Sequence, residues 1–155
     1  MSSRIHYPDV APAGVKALAG VSAYVAQTAL PGTLVDLVNL RVSQINGCAF
    51  CIDLHCRDLN EAGVPWEKIV LVQVWHEATT LFSAEEQAAL AWAETVTRVA
   101  ETGIPDADYA AAAAVFGEKD LADLTIAIGL MNAYNRLAIG FRRTPKAAEG
   151  QSAST

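Results

Sequence analysis

The chain has 155 residues, enough for one domain to bury a single core without disulfide staples or a structural metal. Apolar residues make up 52% of it, yet they come in amphipathic pieces, and no stretch reaches the ~18 uninterrupted apolar residues of a membrane span. The formal charge of −6, with only a small basic cluster at Arg136, Arg142, Arg143 and Lys146, makes nucleic acid a poor partner. The N-terminus has no apolar run after Arg4, so no secretory signal is expected and the cytoplasm is the default location.

Glycine, proline and asparagine divide the chain into six to seven helical segments. The expectation is an all-α, single-domain helical bundle over residues 1–145, followed by a disordered tail over 146–155. The first helix is predicted from Pro12 to about Leu30 and is broken by Pro31-Gly32. The second, Thr33 to Ile45, carries Leu34, Leu37, Val38, Val42 and Ile45 at helical spacing and ends at Asn46-Gly47. A third begins at once and runs to about Ala62, where Gly63-Val64-Pro65 bars continuation. Trp66 to Glu77 is predicted as a fourth. Ser83-Ala84-Glu85-Glu86 reads as a capping box opening a fifth, which extends to Glu101 and closes at Gly103-Ile104-Pro105. A short helix over Asp106–Phe116 precedes a long one from Lys119 to Phe141, apolar around much of its circumference and therefore expected to bury more than one face, either inside the monomer or between subunits.

The chemistry concentrates at the start of the third helix, in Cys48-Ala49-Phe50-Cys51-Ile52-Asp53-Leu54-His55. Residues three and four apart share a helix face, so both thiols and His55 are expected to cluster there. A thiol at a helix N-terminus, with a base nearby, is prone to ionise. C-x-x-C alone fits a dithiol redox centre, half of a zinc site, or coincidence. Zinc would draw on Cys48, Cys51, His55 and Cys56, but there is no second C-x-x-C or H-x-x-x-H, and His6 and His76 are the only other imidazoles. Redox chemistry makes fuller use of the spacing. A thiolate at Cys51 attacks a peroxide and becomes a sulfenic acid, Cys48 resolves it, and His55 serves as base directly or through one water. Cys56, about 100° further round the helix, reads as a small buried bystander. Asp36, twelve residues before Cys48, would face the thiols if the Asn46-Gly47 turn folds the two helices together.

The run from Asp36 through Leu-Val-Asn-Leu-Arg-Val-Ser-Gln-Ile-Asn-Gly to Cys48 and on to His55 closely resembles the AhpD-like alkylhydroperoxidase branch of the carboxymuconolactone decarboxylase family. That branch is marked by an acid, eleven intervening residues and C-x-x-C-x-x-x-H. The resemblance extends to Tyr7, Pro12, Leu81-Phe82-Ser83, Ala91-Trp92-Ala93-Glu94 and Asn132-Ala133-Tyr134-Asn135-Arg136. It implies an all-helical thiol-dependent peroxidase that assembles as trimers or hexamers, with a small-molecule peroxide as substrate and a thiol or lipoyl-type donor as reductant. No metal or organic cofactor is implied. Carried over, Cys51 forms the sulfenic acid, Cys48 donates a proton and resolves it, and His55 and Asp36 are the relay. Two positions depart from the pattern: Asp36 is one methylene shorter than the usual glutamate, and Phe50 stands where the best-studied members carry a histidine. Decarboxylase relatives lack the redox dithiol, so the intact pair argues against lactone chemistry. Asn132, Asn135 and Arg136 read as helix–helix or subunit contacts.

Overall fold

The computed structural model describes residues 4–148, and these fold as helices without a strand among them. Nine α-helices follow one another: α1 (Tyr7–Val10), α2 (Pro12–Val25), α3 (Gly32–Asn46), α4 (Ala49–Glu61), α5 (Trp66–Leu71), α6 (Ala84–Thr97), α7 (Val99–Thr102), α8 (Asp106–Ala113) and α9 (Glu118–Gly140). Among the described residues, no helix is long and apolar enough to cross a membrane.

The central element is α3, packed against α4, α6 and α9. Two stripes of its surface are buried in two different clusters, which is why its apolar residues are so dense. Leu34, Val38 and Val42, at i, i+4 and i+8, join Trp92 of α6 and Leu124, Ile128 and Met131 of α9. Leu37 and Leu40 join Leu59 of α4 with Ile69, Val72, Trp75 and Leu90. The last helix, as expected, is also covered from more than one side, packing against α3, α6 and α2. Helix α9 buries Leu121, Leu124, Ala127, Ile128 and Met131, while Ile126 and Ile139 remain exposed.

Helix ends follow local signals where capping decides them. Ser83 Oγ accepts from Glu86 N–H at 3.2 Å and Glu86 Oε2 from Ser83 N–H at 2.7 Å, closing the capping box. Gly47 has φ +71°, the left-handed conformation that ends α3 and lets α4 start two residues later.

Three predicted helices are shorter or broken. Helix α2 stops at Val25, because Gln27 and Thr28 switch to i→i−3 bonds and the Thr28 hydroxyl donates to Val25 C=O at 2.7 Å. The segment expected over Trp66–Glu77 becomes 3₁₀ from Val72 onward, with Val74 at φ −127°. Alternate β-branched residues at Val70, Val72 and Val74 weaken the helix there, and Trp75 Nε1 donates to Glu94 Oε1 at 3.0 Å. The fifth segment breaks at Arg98, where the Thr102 hydroxyl reaches back to Thr95 C=O at 2.8 Å. Of the tail expected to lack structure, Lys146–Ala148 form a 3₁₀ turn tied to α4 through Ala147 N–H donating to Asp53 Oδ2; residues 149–155 lie outside the described residues.

Candidate functional site

The turn at Gly47 makes Cys48 the N-cap of α4, with extended backbone (φ −86°, ψ 93°), and its sulfur accepts the Cys51 N–H at 3.4 Å. Cys51 lies in the first turn of the same helix. Both sulfurs are buried, and all three cysteines are free thiols. The Cys51 thiol, the backbone N–H groups of the first turn and Asn135 all favour the ionised form of the Cys48 sulfur. Against the opposing effect of burial, these bring its pKa down to about 7. Cys51 moves the opposite way: its thiol donates to Cys48, and burial and the neighbouring negative charge raise its pKa, opposed in part by Asn135 and Arg143. The two thiols therefore titrate as a pair, with Cys48 shifted down and Cys51 up.

Asn135 of α9 is completely buried beneath the sulfurs. It donates to Ser43 Oγ at 3.1 Å and accepts from Asn46 Nδ2 at 2.9 Å, so the last turn of α3 fixes its amide. Asn132 accepts from the same Asn46 amide at 3.0 Å, and Arg136 Nη1 donates to Asn132 Oδ1 at 3.0 Å. Asn132 and Arg136 are interhelical and intrahelical contacts, whereas Asn135 also touches the dithiol.

His55, one turn after Cys51, is buried and stands beside two carboxylates. Its Nδ1 lies 3.5 Å from Asp36 Oδ1 and 3.7 Å from Asp58 Oδ2. The folding of α3 onto α4 has therefore brought Asp36 to the imidazole. The acid meets the histidine and not the sulfurs, and neither ring nitrogen makes a well-formed hydrogen bond to protein. Asp58 was not singled out in the sequence, although Cys51, His55 and Asp58 stand at i, i+4 and i+7 on one face of α4. Burial, opposed by His55 but helped by Asp36, raises the Asp58 pKa. Asp36, His55 and Asp58 each offer one ligand atom within 4.8 Å of the others, making this trio the set that could hold a divalent cation among the described residues. The sulfurs do not join it. Cys56 is half-buried against the second core cluster, and burial pushes its thiol pKa up.

Cys51 and His55 open onto a cavity of about 550 Å³, walled by α2, α3, α4 and α9. Its lining is mainly apolar, including Val25, Leu30, Val35, Leu130 and Met131, with Asp36, Tyr7, Tyr134 and Arg143 as polar groups. Cys48 is not on the wall. A small molecule entering the cavity meets the Cys51 sulfur first, with Cys48 behind it.

The comparisons agree with this architecture. Residues 11–95 match the model of the carboxymuconolactone decarboxylase family. The uncharacterized protein YdfG of Bacillus subtilis is 35% identical over 139 residues, covering 90% of this chain and 94% of YdfG. A crystal structure of ATU0492 from Agrobacterium tumefaciens, a protein of unknown function suggested to be the antioxidant defence protein AhpD, is 37% identical. It superposes with a TM-score of 0.89, covering 93% of this chain and 98% of that one. An uncharacterized peroxidase-related protein of Ralstonia eutropha JMP134, described as an alkylhydroperoxidase AhpD core, shares the fold at 18% identity, with a TM-score of 0.78 over 90% of this chain and 74% of its own. By sequence and by fold together, the chain belongs to the carboxymuconolactone decarboxylase family, in its AhpD-like form.

Proposed function

We propose that the protein is a thiol-dependent peroxidase of the alkylhydroperoxidase kind, in which Cys51 attacks the peroxide and Cys48 is its proton partner and resolving thiol. The observation that carries this reading is a free thiol, Cys51, on the wall of an apolar cavity, with a second free thiol, Cys48, capping the same helix and accepting the Cys51 N–H on its sulfur. As Cys51 attacks the terminal oxygen of a hydroperoxide, its proton passes to Cys48, and the O–O bond breaks with its electron pair leaving on the alkoxy oxygen. Cys48 returns the proton to that oxygen, releasing an alcohol, and Cys51 is left as a sulfenic acid. Cys48, again a thiolate, attacks the sulfenic sulfur. The S–S bond forms and hydroxide departs, protonated to water through His55. An external dithiol, of lipoyl or similar type, then supplies the two electrons that reopen the disulfide.

His55 and Asp36 act as the relay in this scheme. The Asp36 carboxylate, 3.5 Å from Nδ1, favours the proton on that nitrogen and so leaves Nε2 to exchange protons with the Cys51 sulfur through one water in the cavity. The shorter aspartate still reaches the ring, and Phe50 carries no proton because the Cys48–Cys51 contact already does. The cycle needs no metal or organic cofactor. We place the protein in the cytoplasm, where thiol donors recycle such a centre. We further propose a homo-oligomer, a trimer or hexamer, for which the exposed Trp66, Val70 and Val74 offer an apolar surface.

The test is hydroperoxide consumption with dithiothreitol or dihydrolipoamide as donor. Turnover by the wild-type protein and its loss in Cys51→Ser is the expected result. Equal turnover by both would remove the mechanism.

A further inference from the structure

The cavity lining pairs an acid with an imidazole, Asp36 and His55, 3.5 Å apart, adds the uncharged polar groups Ser22, Asn39 and Tyr134, and has one guanidinium, that of Arg143. Arg143 Nη1 donates to the Tyr7 hydroxyl at 3.2 Å, and the guanidinium carbon lies 3.9 Å from the centroid of the Phe50 ring, next in sequence to Cys51. Among the described residues no carboxylate forms an ion pair with Arg143. The Tyr7 hydroxyl, on a residue only 8% exposed, accepts from Arg143, and its own proton is uncommitted among the described residues.

This placement depends on an unusual backbone. Arg142 has φ +55°, a left-handed conformation that costs a non-glycine residue roughly 1 kcal/mol or more. It folds the chain back so that Arg143 N–H donates to Ala138 C=O at 2.9 Å, closing the end of α9 and laying the guanidinium along the cavity wall. The aromatic face beneath holds the guanidinium plane while leaving most of its N–H donors outward.

We propose that Arg143 and Tyr7 form a carboxylate clamp, and that the substrate is an amphipathic organic acid carrying the hydroperoxide, with its apolar body against Val25, Leu30, Val35 and Met131. A planar fork of donors beside a free hydroxyl proton matches a carboxylate, and the 550 Å³ of apolar space is of the order used for small organic ligands, many times what hydrogen peroxide needs. Asp36, on the same cavity, repels the carboxylate and so fixes which end of the ligand meets Arg143. The proposal rests on the peroxidase reading for the reacting group, but the clamp itself is a binding site and can be tested without turnover.

The first measurement is calorimetric titration of Cys51→Ser protein with octanoate and with octanamide. Octanoate should bind at least about tenfold more tightly than the amide, Arg143→Gln should erase the difference, and Arg143→Lys should keep part of it. The second compares a fatty-acid hydroperoxide with its methyl ester in the wild-type protein. The acid should have the higher kcat/KM, and Arg143→Gln should abolish that preference mainly through KM. If Arg143 only assists ionisation of Cys51, the variant slows both substrates equally and octanoate affinity is unchanged, which overturns the clamp. Octanoate binding that depends on Arg143, in a protein that turns over no hydroperoxide, would instead retain the clamp and remove the peroxidase reading.

Discussion

Replacing Cys48 by serine tests the distribution of charge within the dithiol. In the wild-type protein the Cys48 pKa is brought down to about 7, so the pair is expected to carry thiolate near neutral pH. An ordinary thiol of pKa ~8.5 would be only ~3% ionised there. The sign follows from the anion being the favoured form: the thiolate signal rises as pH passes up through 7 and is lost below it. In Cys48→Ser the remaining thiol on the wall is Cys51: loss of Cys48 removes the first cause of its raised pKa, but burial still opposes its ionisation, so the variant's thiolate should appear about 1.5 units above that of the wild-type pair, near the free value of ~8.5. Ultraviolet thiolate absorbance read across pH on both proteins, with Cys56 replaced by alanine in each, measures this directly. Single-turnover oxidation should shift along the same pH axis, although a more basic thiolate is also more nucleophilic and recovers part of the lost rate. An unchanged midpoint in Cys48→Ser would refute the assignment of the resting charge to Cys48.

Three further outcomes are expected. His55→Gln should lower turnover by about two orders of magnitude, and Asp36→Asn should lower it by less while leaving the thiolate midpoint near 7, because the acid touches the imidazole and not the sulfurs; steady-state rates with the thiolate titration alongside check both. Dialysis against a chelator should leave hydroperoxide consumption unchanged, and loss of activity restored by zinc would transfer the chemistry to Asp36, His55 and Asp58. Leu124→Ala, at a fully buried position between α9 and α3, should cost about 2–5 kcal/mol in chemical denaturation, whereas Ser83→Ala should cost only about 1 kcal/mol through loss of its cap.

The sequence made the components of the site legible and left their electrical roles open. The interval from Asp36 to Cys48 crosses a glycine that must turn the chain, and that turn does bring the acid to His55. The electrical roles were less legible: the sequence put the attacking thiolate on Cys51, and in the structure the two thiols are shifted in opposite directions, Cys48 down and Cys51 up. Both cysteines lie at the start of α4, and only the extended backbone of the N-cap decides which sulfur receives the N–H and the neighbouring thiol proton. Asp58 was readable from its i+7 spacing once Cys51 and His55 were on one face. Arg143 was not: in sequence it belongs to a basic cluster near the C-terminus, and its place beside Phe50 depends on a left-handed Arg142 and on packing between chain ends more than 130 residues apart. Among the helices, caps such as Ser83 and Gly47 fixed ends well, while the break at Val74 combines a local β-branched run with a long-range bond to Glu94, and the break at Arg98 goes with a bond from Thr102 back to Thr95.

The most direct measurement of the central claim is peptide mass spectrometry of the reduced protein after one equivalent of an organic hydroperoxide. The account predicts loss of two free thiols per chain, a disulfide joining Cys48 to Cys51, and a trapped sulfenic acid on Cys51 when Cys48 is serine. Complete consumption of the hydroperoxide with both thiols still free, or with the sulfenic acid trapped only on Cys48 in a Cys51→Ser protein that reacts as fast as the wild type, would contradict it.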